Sequence, residues 1–309
     1  MRSLPERVGK AACPRGPPIT IPSMNTPSTP PATDRNLHVA FIGGGNMATA
    51  LAIGMAGRLC PPGQIHAIDI NTDIHAAWHA RGATAATAPD EKLSLCNVWF
   101  FAVKPQYMRE AVQACRPWLR PGTLVVSVAA GLRGDVLAGW LGQDGQPYGK
   151  LVRCMPNTPA LVGAGVTGML ALPGVGEADR ALAQAMLGSV GQVVWVDDDA
   201  AIDAVTALSG SGPAYVFRFL EALIAGGVAV GLDEAQARAL ALGTFEGAAK
   251  LARESAEPPS VLRERVTSKG GTTAAALKVF DEGGLMTLVA RAMAAAAERS
   301  RELAREFGK

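Results

Sequence analysis

The chain has few of the residues that carry chemistry on their own. Its four histidines, His38, His66, His75 and His79, all precede residue 80 of 309, so a histidine metal site or triad spanning the chain has no material. The five cysteines, Cys13, Cys60, Cys96, Cys115 and Cys154, are scattered, odd in number and without a CxxC pair. That pattern argues against a disulfide frame or a zinc site and fits a reducing cytosol. Aromatics make up only 5%, which leaves a core of closely packed helices and strands rather than aromatic clusters. Neither charge sign dominates: 29 Lys and Arg face 27 Asp and Glu. No basic run is interleaved with aromatics, so nothing marks a nucleic-acid surface. The longest apolar run, at residues 222–232, is shorter than the ~20 residues a membrane span needs. No internal repeat is visible.

What is present is apolar, at 49% hydrophobic and 18% charged, and long enough for two domains of ~100–200 residues each. Residues 1–36 are rich in Pro, Ser and Thr without periodicity, which reads as a disordered tail. It has no apolar segment of the secretory kind, and Met24 within it is a second candidate start. From 37 onward, apolar runs alternate with helical pieces. Strands are expected at 37–42, 65–68, 98–103, 124–128 and 151–154, with two more at 166–172 and 193–196. Helices are expected at 47–57, 73–81 and 177–190. Continuous apolar strands alternating with helices indicate an α/β fold, a parallel sheet covered on both faces. After about residue 199 every segment is helical in period. Pro213 suits a first helical turn, and Asp233 with Gln236 fits a capping box. The expected organisation is a tail (1–36), a dinucleotide-binding α/β domain (37–198) and a helical domain (199–309).

The stretch HVAFIGGGNMATALAIGM, residues 38–55, is a strand, a glycine turn and a helix. Gly43, Gly45 and Ala48 fill a G-x-G-x-x-A pattern. The first permits the tight turn, the second lets backbone approach a pyrophosphate, and the third lets the helix pack on the strand. The helix N-terminus then faces the anion. An ordinary tight turn would use the same glycines, but the flanking strand and helix favour dinucleotide binding. Asp69 ends the second strand, where an acid accepts hydrogen bonds from an adenosine ribose and repels a 2′-phosphate. The plain alternative is that Asp69 only begins a turn. In FFAVKPQ (100–106), Lys104 meets a phosphate or is a solvated strand terminus, and Pro105 ends the strand.

A second anion site is written into VTSKGGTTAAALKVFDEGG (266–284). Thr272 or Thr273 is placed to cap a helix starting at Ala274, and Gly283 or Gly284 to end it. The turn Ser268–Gly271 exposes backbone N–H groups at a helix N-terminus, which suits a small carboxylate or phosphate. An ordinary capped helix is the alternative. Two anion-binding turns suggest a dinucleotide and a small acid, and a nicotinamide would bring hydride transfer.

The segments FIGGGNMATAL, FFAVKPQ, VVSVAAGL, RCMPNTPALVGAGVT, ALSGSGPAYVF and VTSKGGTTAAAL stand in the order found in pyrroline-5-carboxylate reductases, and the chain resembles that family over about residues 37–305. The resemblance implies reduction of 1-pyrroline-5-carboxylate to L-proline, the last step of proline biosynthesis, by hydride transfer from NADPH or NADH to a C=N bond. It implies a Rossmann-like domain and a helical domain through which two chains form a homodimer, with larger rings in some members. The active site would lie between the cofactor domain and the helical domains. By the same resemblance, Gly43, Gly45, Asn46 and Met47 hold the pyrophosphate. Ala102, Val103, Lys104 and Pro105 line the cofactor path, and Met155, Pro156 and Asn157 lie near the nicotinamide. Ser268, Gly270, Gly271, Thr272 and Thr273 bind the substrate carboxylate. The Thr273 hydroxyl meets the ring nitrogen as the catalytic group, although water could equally relay the proton. No metal is implied.

Three positions depart from the family pattern. Lys269 stands where many relatives have Pro, and Asp69 where NADPH-using relatives tend to have Ser or Thr. Pro89–Asp90 lies near a place where relatives offer an Asn. Asp69 favours NADH and the family favours NADPH, so the preference stays open. Two other readings also stand: a reductase of six-membered cyclic imines, and a redox sensor that holds NAD(P)(H) without turnover.

Overall fold

The computed structural model describes Asp34 and residues 36–308. The expected tail at 1–36, with Met24 and Cys13, lies outside the described residues apart from Asp34 and Asn36. In chain order the elements are β1 (Val39–Ile42), α1 (Asn46–Met55), β2 (Ile65–Ile68), α2 (His75–Ala80), β3 (Thr84–Ala86), β4 (Val98–Phe101), α3 (Met108–Cys115), β5 (Leu124–Ser127), α4 (Gly134–Leu141), β6 (Leu151–Met155), β7 (Gly165–Ala171), α5 (Glu177–Gly188), β8 (Gly191–Trp195), α6 (Asp199–Val205), α7 (Gly212–Ala229), α8 (Glu234–Glu254), α9 (Pro259–Arg265), α10 (Thr272–Glu282) and α11 (Leu285–Phe307).

The strands form one sheet in the order 3-2-1-4-5-6-7-8. The first six are parallel, and their order is that of a dinucleotide-binding doubly wound fold. Along β1, Val39 and Phe41 enter one core with Leu51, Met55, Trp78, Met186 and Leu187. Ala40 and Ile42 enter the other, with Trp99, Phe101, Met108, Val112 and Leu137. Both faces are covered, so strands such as VWFF in β4 are buried along their whole length. This is the physical reason they read as unbroken apolar runs.

Two features differ from the sequence expectation. β3 was not expected; it is three half-buried residues, TAA, at a sheet edge, too short and too weakly apolar to carry a signal. β7 runs antiparallel to β6 rather than extending the parallel set. The stretch between them, Pro156–Ala164, is shorter than the dozen or so residues of a parallel crossover. The chain therefore turns straight back.

The chain divides into two compact units, one comprising Leu220–Met286 and the other the preceding residues together with Thr287 onward. The residues at 199–219 and the greater part of α11 thus belong to the sheet unit. There the face carrying Leu151 also carries Arg153, which is only 2% exposed. Its guanidinium pairs closely with Asp199 at the head of α6, and Arg133 Nη2 reaches the same carboxylate at 3.4 Å. One turn later, the buried Asp203 accepts a 2.6 Å hydrogen bond from Ser300 Oγ on α11. α6 is thereby fastened to the sheet and to the last helix.

In the other unit only Leu220, Ala237 and Ala241 are buried among the described residues. α8 opens with the expected capping box, Gln236 N–H donating to Asp233 Oδ1 at 2.8 Å and Asp233 N–H to Gln236 Oε1 at 3.2 Å. No helix among the described residues is long and apolar enough to cross a membrane.

Removing one partner of a buried ion pair strands the other, so Arg153→Met is expected to lower unfolding free energy by ~3 kcal/mol in a urea titration. A loss below ~1 kcal/mol would mean that Arg133 alone satisfies Asp199.

Candidate active site

The strand order reverses between β1 and β4, and the glycine turn leaves the sheet at that point. Gly43 has φ +95°, a conformation that costs a side chain dearly. A Cβ there would stand 2.7 Å from Val103 N and 2.8 Å from the Ala102 carbonyl carbon. The turn thus rests on the backbone that follows β4, and the structure brings Gly43, Ala102 and Val103 together. Ala48 is fully buried where α1 meets the sheet.

Burial changes within the turn: Gly43 and Gly44 are buried, Gly45 and Asn46 exposed. Gly45 is the N-cap of α1 and carries no side-chain cap. A Cβ on Gly45 would meet nothing within 4 Å, and its N–H has no partner among the described residues. Space and an unpaired donor at a helix N-terminus suit a pyrophosphate.

Asp69 lies against this turn. Its Oδ2 accepts from Gly44 N–H at 2.7 Å and its Oδ1 from Asn71 N–H at 2.9 Å, while His75 Nε2 donates to its carbonyl at 2.8 Å. Asp69 therefore anchors the glycine turn as well as ending β2. Trp78 and Thr49, which sequence reasoning did not select, hold the other side of Gly44. Trp78 Nε1 donates to Gly44 O at 3.2 Å and Thr49 Oγ1 to the same oxygen at 3.3 Å. A lone Trp on an amphipathic helix reads as core, so the sequence carried no signal for that bond. Lys104 is exposed and precedes the helical turn begun by Pro105. Asp90 caps the turn at Glu91–Leu95 and stands 3.2 Å from His66 Nε2. Burial keeps the His66 pKa below its ordinary value, with Asp90 pulling the other way.

At the end of β6, Asn157 spends its amide locally. Nδ2 donates to Ser209 O at 3.0 Å and Oδ1 accepts from Val166 N–H at 2.8 Å. Met155 Cε lies against Gly210, 2.6 Å from where a Cβ would stand. Two separate sequence motifs, MPNTPA and ALSGSG, are thus one packed cluster. The second of them forms a π-helical turn, Thr206–Gly210, between α6 and α7, a feature common at functional sites.

The other compact unit contains the second expected anion site. Gly270 at φ +72° turns the chain, and Gly271 N–H donates to Ser268 O at 3.0 Å. Here the structure corrects the expected cap. α10 starts at Thr272, not Ala274, and its N-cap is Gly271 without a side-chain bond. The extended Gly271 takes the capping seat, so Thr272 and Thr273 fall within the first turn. Their N–H groups and that of Ala274 have no partner among the described residues, which leaves an open helix N-terminus with Thr273 half-buried beside it.

Comparison with known proteins gives a consistent picture. Residues 199–303 match a family model described as pyrroline-5-carboxylate reductase dimerisation. Residues 38–131 match one described as NADP oxidoreductase coenzyme F420-dependent. The chain is 43% identical to a Pseudomonas aeruginosa pyrroline-5-carboxylate reductase, over 88% of this chain and 98% of that protein. It is 39% identical to one from Pisum sativum over the same shares. Among solved structures, a Coxiella burnetii pyrroline-5-carboxylate reductase superposes with TM-score 0.80 at 34% identity, covering 87% of this chain and 99% of that one. A Plasmodium falciparum pyrroline carboxylate reductase with NADP bound gives 0.77 at 28% identity, over the same shares.

None of the described cysteines is poised as a nucleophile. Burial, with the Asp34 charge adding to it, pushes the Cys60 thiol up to about 11. Burial pushes Cys96 and Cys115 up to about 12 and raises Cys154 as well. At pH 8 all four stay protonated, so a Cys13→Ser chain should react with no Ellman's reagent while folded and with four equivalents once denatured. Any stoichiometric reaction of the folded chain would contradict this burial.

Proposed function

As the chain belongs to the pyrroline-5-carboxylate reductase family, we propose that its two open helix N-termini divide the work of that reaction. The enzyme is an NAD(P)H-dependent oxidoreductase that converts 1-pyrroline-5-carboxylate to L-proline. When bound, the reduced nicotinamide supplies the hydride to the C=N carbon. The Gly43–Met47 turn binds the pyrophosphate through the N–H groups of Gly45, Asn46 and Met47. The observation that best supports this is the empty space and unpaired N–H at Gly45. Asp69, already fixed by Gly44, offers its remaining lone pairs to the adenosine ribose. Ala102–Pro105 lines the cofactor path, with Lys104 available to phosphate. Met155, Pro156 and Asn157 form the wall by the nicotinamide.

Ser268 and the N–H groups of Gly270, Gly271, Thr272 and Thr273 bind the substrate carboxylate. Fixing a carboxylate on rigid backbone amides orients the imine carbon for attack, and such positioning supplies much of the rate. The Thr273 hydroxyl donates to the ring nitrogen, drawing electron density from the C=N carbon. A threonine is too weak an acid to serve alone as the proton source.

The dimerisation match and the helical unit's sparse core support oligomerisation. Leu223, Val228, Leu240, Leu242, Val279 and Phe280 are exposed there, more apolar surface than a monomer usually leaves open. We assign the finer form as a homodimer through residues 199–303, with the functional boundary near 199 and rings of dimers as the next level. The buried, unpaired thiols suit a cytosolic home.

Following NADH and NADPH absorbance side by side with pyrroline-5-carboxylate tests the reading, and oxidation of neither by protein that binds them would defeat it. Thr273→Ala is expected to cut kcat about tenfold or more while leaving cofactor Kd unchanged; unaltered turnover removes Thr273 from the nitrogen. Asp69→Asn keeps an acceptor for Gly44 N–H but loses the charge, so the ratio of specificity constants should move toward NADPH by about tenfold. Asp69→Ser loses both and should bind each cofactor more weakly than the Asn variant. An unmoved ratio in both would take Asp69 out of the ribose site.

A further inference from the structure

We infer that Trp78 is a positioning residue for the cofactor: its indole N–H, with the Thr49 hydroxyl, turns the Gly44–Gly45 peptide so that the Gly45 N–H faces the pyrophosphate. The inference rests on the dinucleotide reading of the glycine turn and adds to it the device that aims the turn.

A trans peptide is planar, so a C=O and the following N–H point in opposite directions. The Gly44 C=O is directed inward, held by Trp78 Nε1 at 3.2 Å and Thr49 Oγ1 at 3.3 Å. The Gly45 N–H of the same plane is therefore directed outward. It emerges where the chain becomes exposed, with no partner among the described residues. A peptide between two glycines has no Cβ on either side to restrain its rotation. Without the two inward bonds, this plane would be the freest in the turn.

The site is built around that contact. Trp78 is 2% exposed, and its ring packs against Phe41 of β1 at 5.6 Å between centroids. The indole thus has one position. Gly44 has no positive φ, so backbone geometry does not demand glycine there. A Cβ at 44 would stand 3.0 Å from Trp78 Nε1 and 2.5 Å from Ile74 Cδ1, so glycine is what lets the indole reach the carbonyl. On the opposite side of the residue, Asp69 takes the Gly44 N–H at 2.7 Å. Asp69 thus fixes the peptide before Gly44, and Trp78 with Thr49 fixes the one after it.

Trp78→Phe keeps an aromatic ring on Phe41 and deletes the donor. Losing one neutral hydrogen bond that orients a ligand-facing N–H should raise Kd for NADH, NADPH and ADP-ribose about fivefold each. Competition by adenosine, which has no pyrophosphate, should not change. The effect should fall on KM for the cofactor rather than on kcat at saturation. Thr49→Val, nearly isosteric, should raise the same constants about twofold and keeps the test valid if the Phe variant folds poorly. Two outcomes overturn the inference: a lower Tm with unchanged Kd for all three pyrophosphate-bearing probes, or an equal loss for adenosine. Failure of the wild-type chain to bind any of the three would instead defeat the dinucleotide reading itself.

Discussion

The approach of Gly43 to the backbone of Ala102 and Val103, close enough that a β-carbon would collide, governs the geometry of the cofactor half. It brings the end of β1 and the end of β4 to one point, where the strand order reverses and helices depart to opposite faces of the sheet. Once that contact is made, Ile68 O receives Gly43 N–H at 2.8 Å and Asp69 falls beside Gly44. α1 starts with its N-terminus uncapped. Each later feature of the turn is a consequence of where that first glycine rests.

The architecture was legible because burial on both faces makes β1 and β4 wholly apolar and leaves β2 and β5 one polar residue each, His66 and Ser127, and four such runs between helical segments admit few folds. The capping box at Asp233 was legible because both partners are local. What escaped has a physical reason in each case. β3 has three residues and an edge position, so no pattern marks it. The reversal of β7 depends on the length of a connection, not on the composition of a strand. The cap of α10 was assigned to a threonine because hydroxyls usually outcompete glycine there, whereas the φ of Gly270 decides which residue takes the seat. The turn that carries Gly43 and Gly45, and the strand end that carries Asp69, were legible as local structure. The engagement of Asp69 with Gly44, and of Asn157 with Ser209, joins residues 25 and 52 apart in sequence and needs coordinates. Trp78 and Arg153 show the limit most plainly, since a buried Trp reads as core and an Arg inside a strand does not name the distant carboxylate that pairs with it.

The two halves solve their energetic problems differently. The sheet unit buries β1, β2, β4 and β5 along their whole length, nearly all of β6 and even an ion pair, so its stability is largely internal. The helical unit buries Leu220, Ala237 and Ala241 and little else among the described residues, which is meagre for a unit that includes the 21-residue α8. Such a unit has much to gain from association, in line with its match to a dimerisation family, and association would add stability by mass action.

The hydrogen bond between Asp203 and Ser300 spans 97 residues, so the order of synthesis decides when it can form. A ribosome adds about 5–20 residues per second, so Asp203 waits several seconds for the hydroxyl that completes its burial. The cofactor-binding half, though encoded first, is finished only by the last helix to emerge. A message truncated near its 3′ end would spoil the nucleotide fold before it touched the helical one, and quality control would meet this chain as a sheet lacking its final brace.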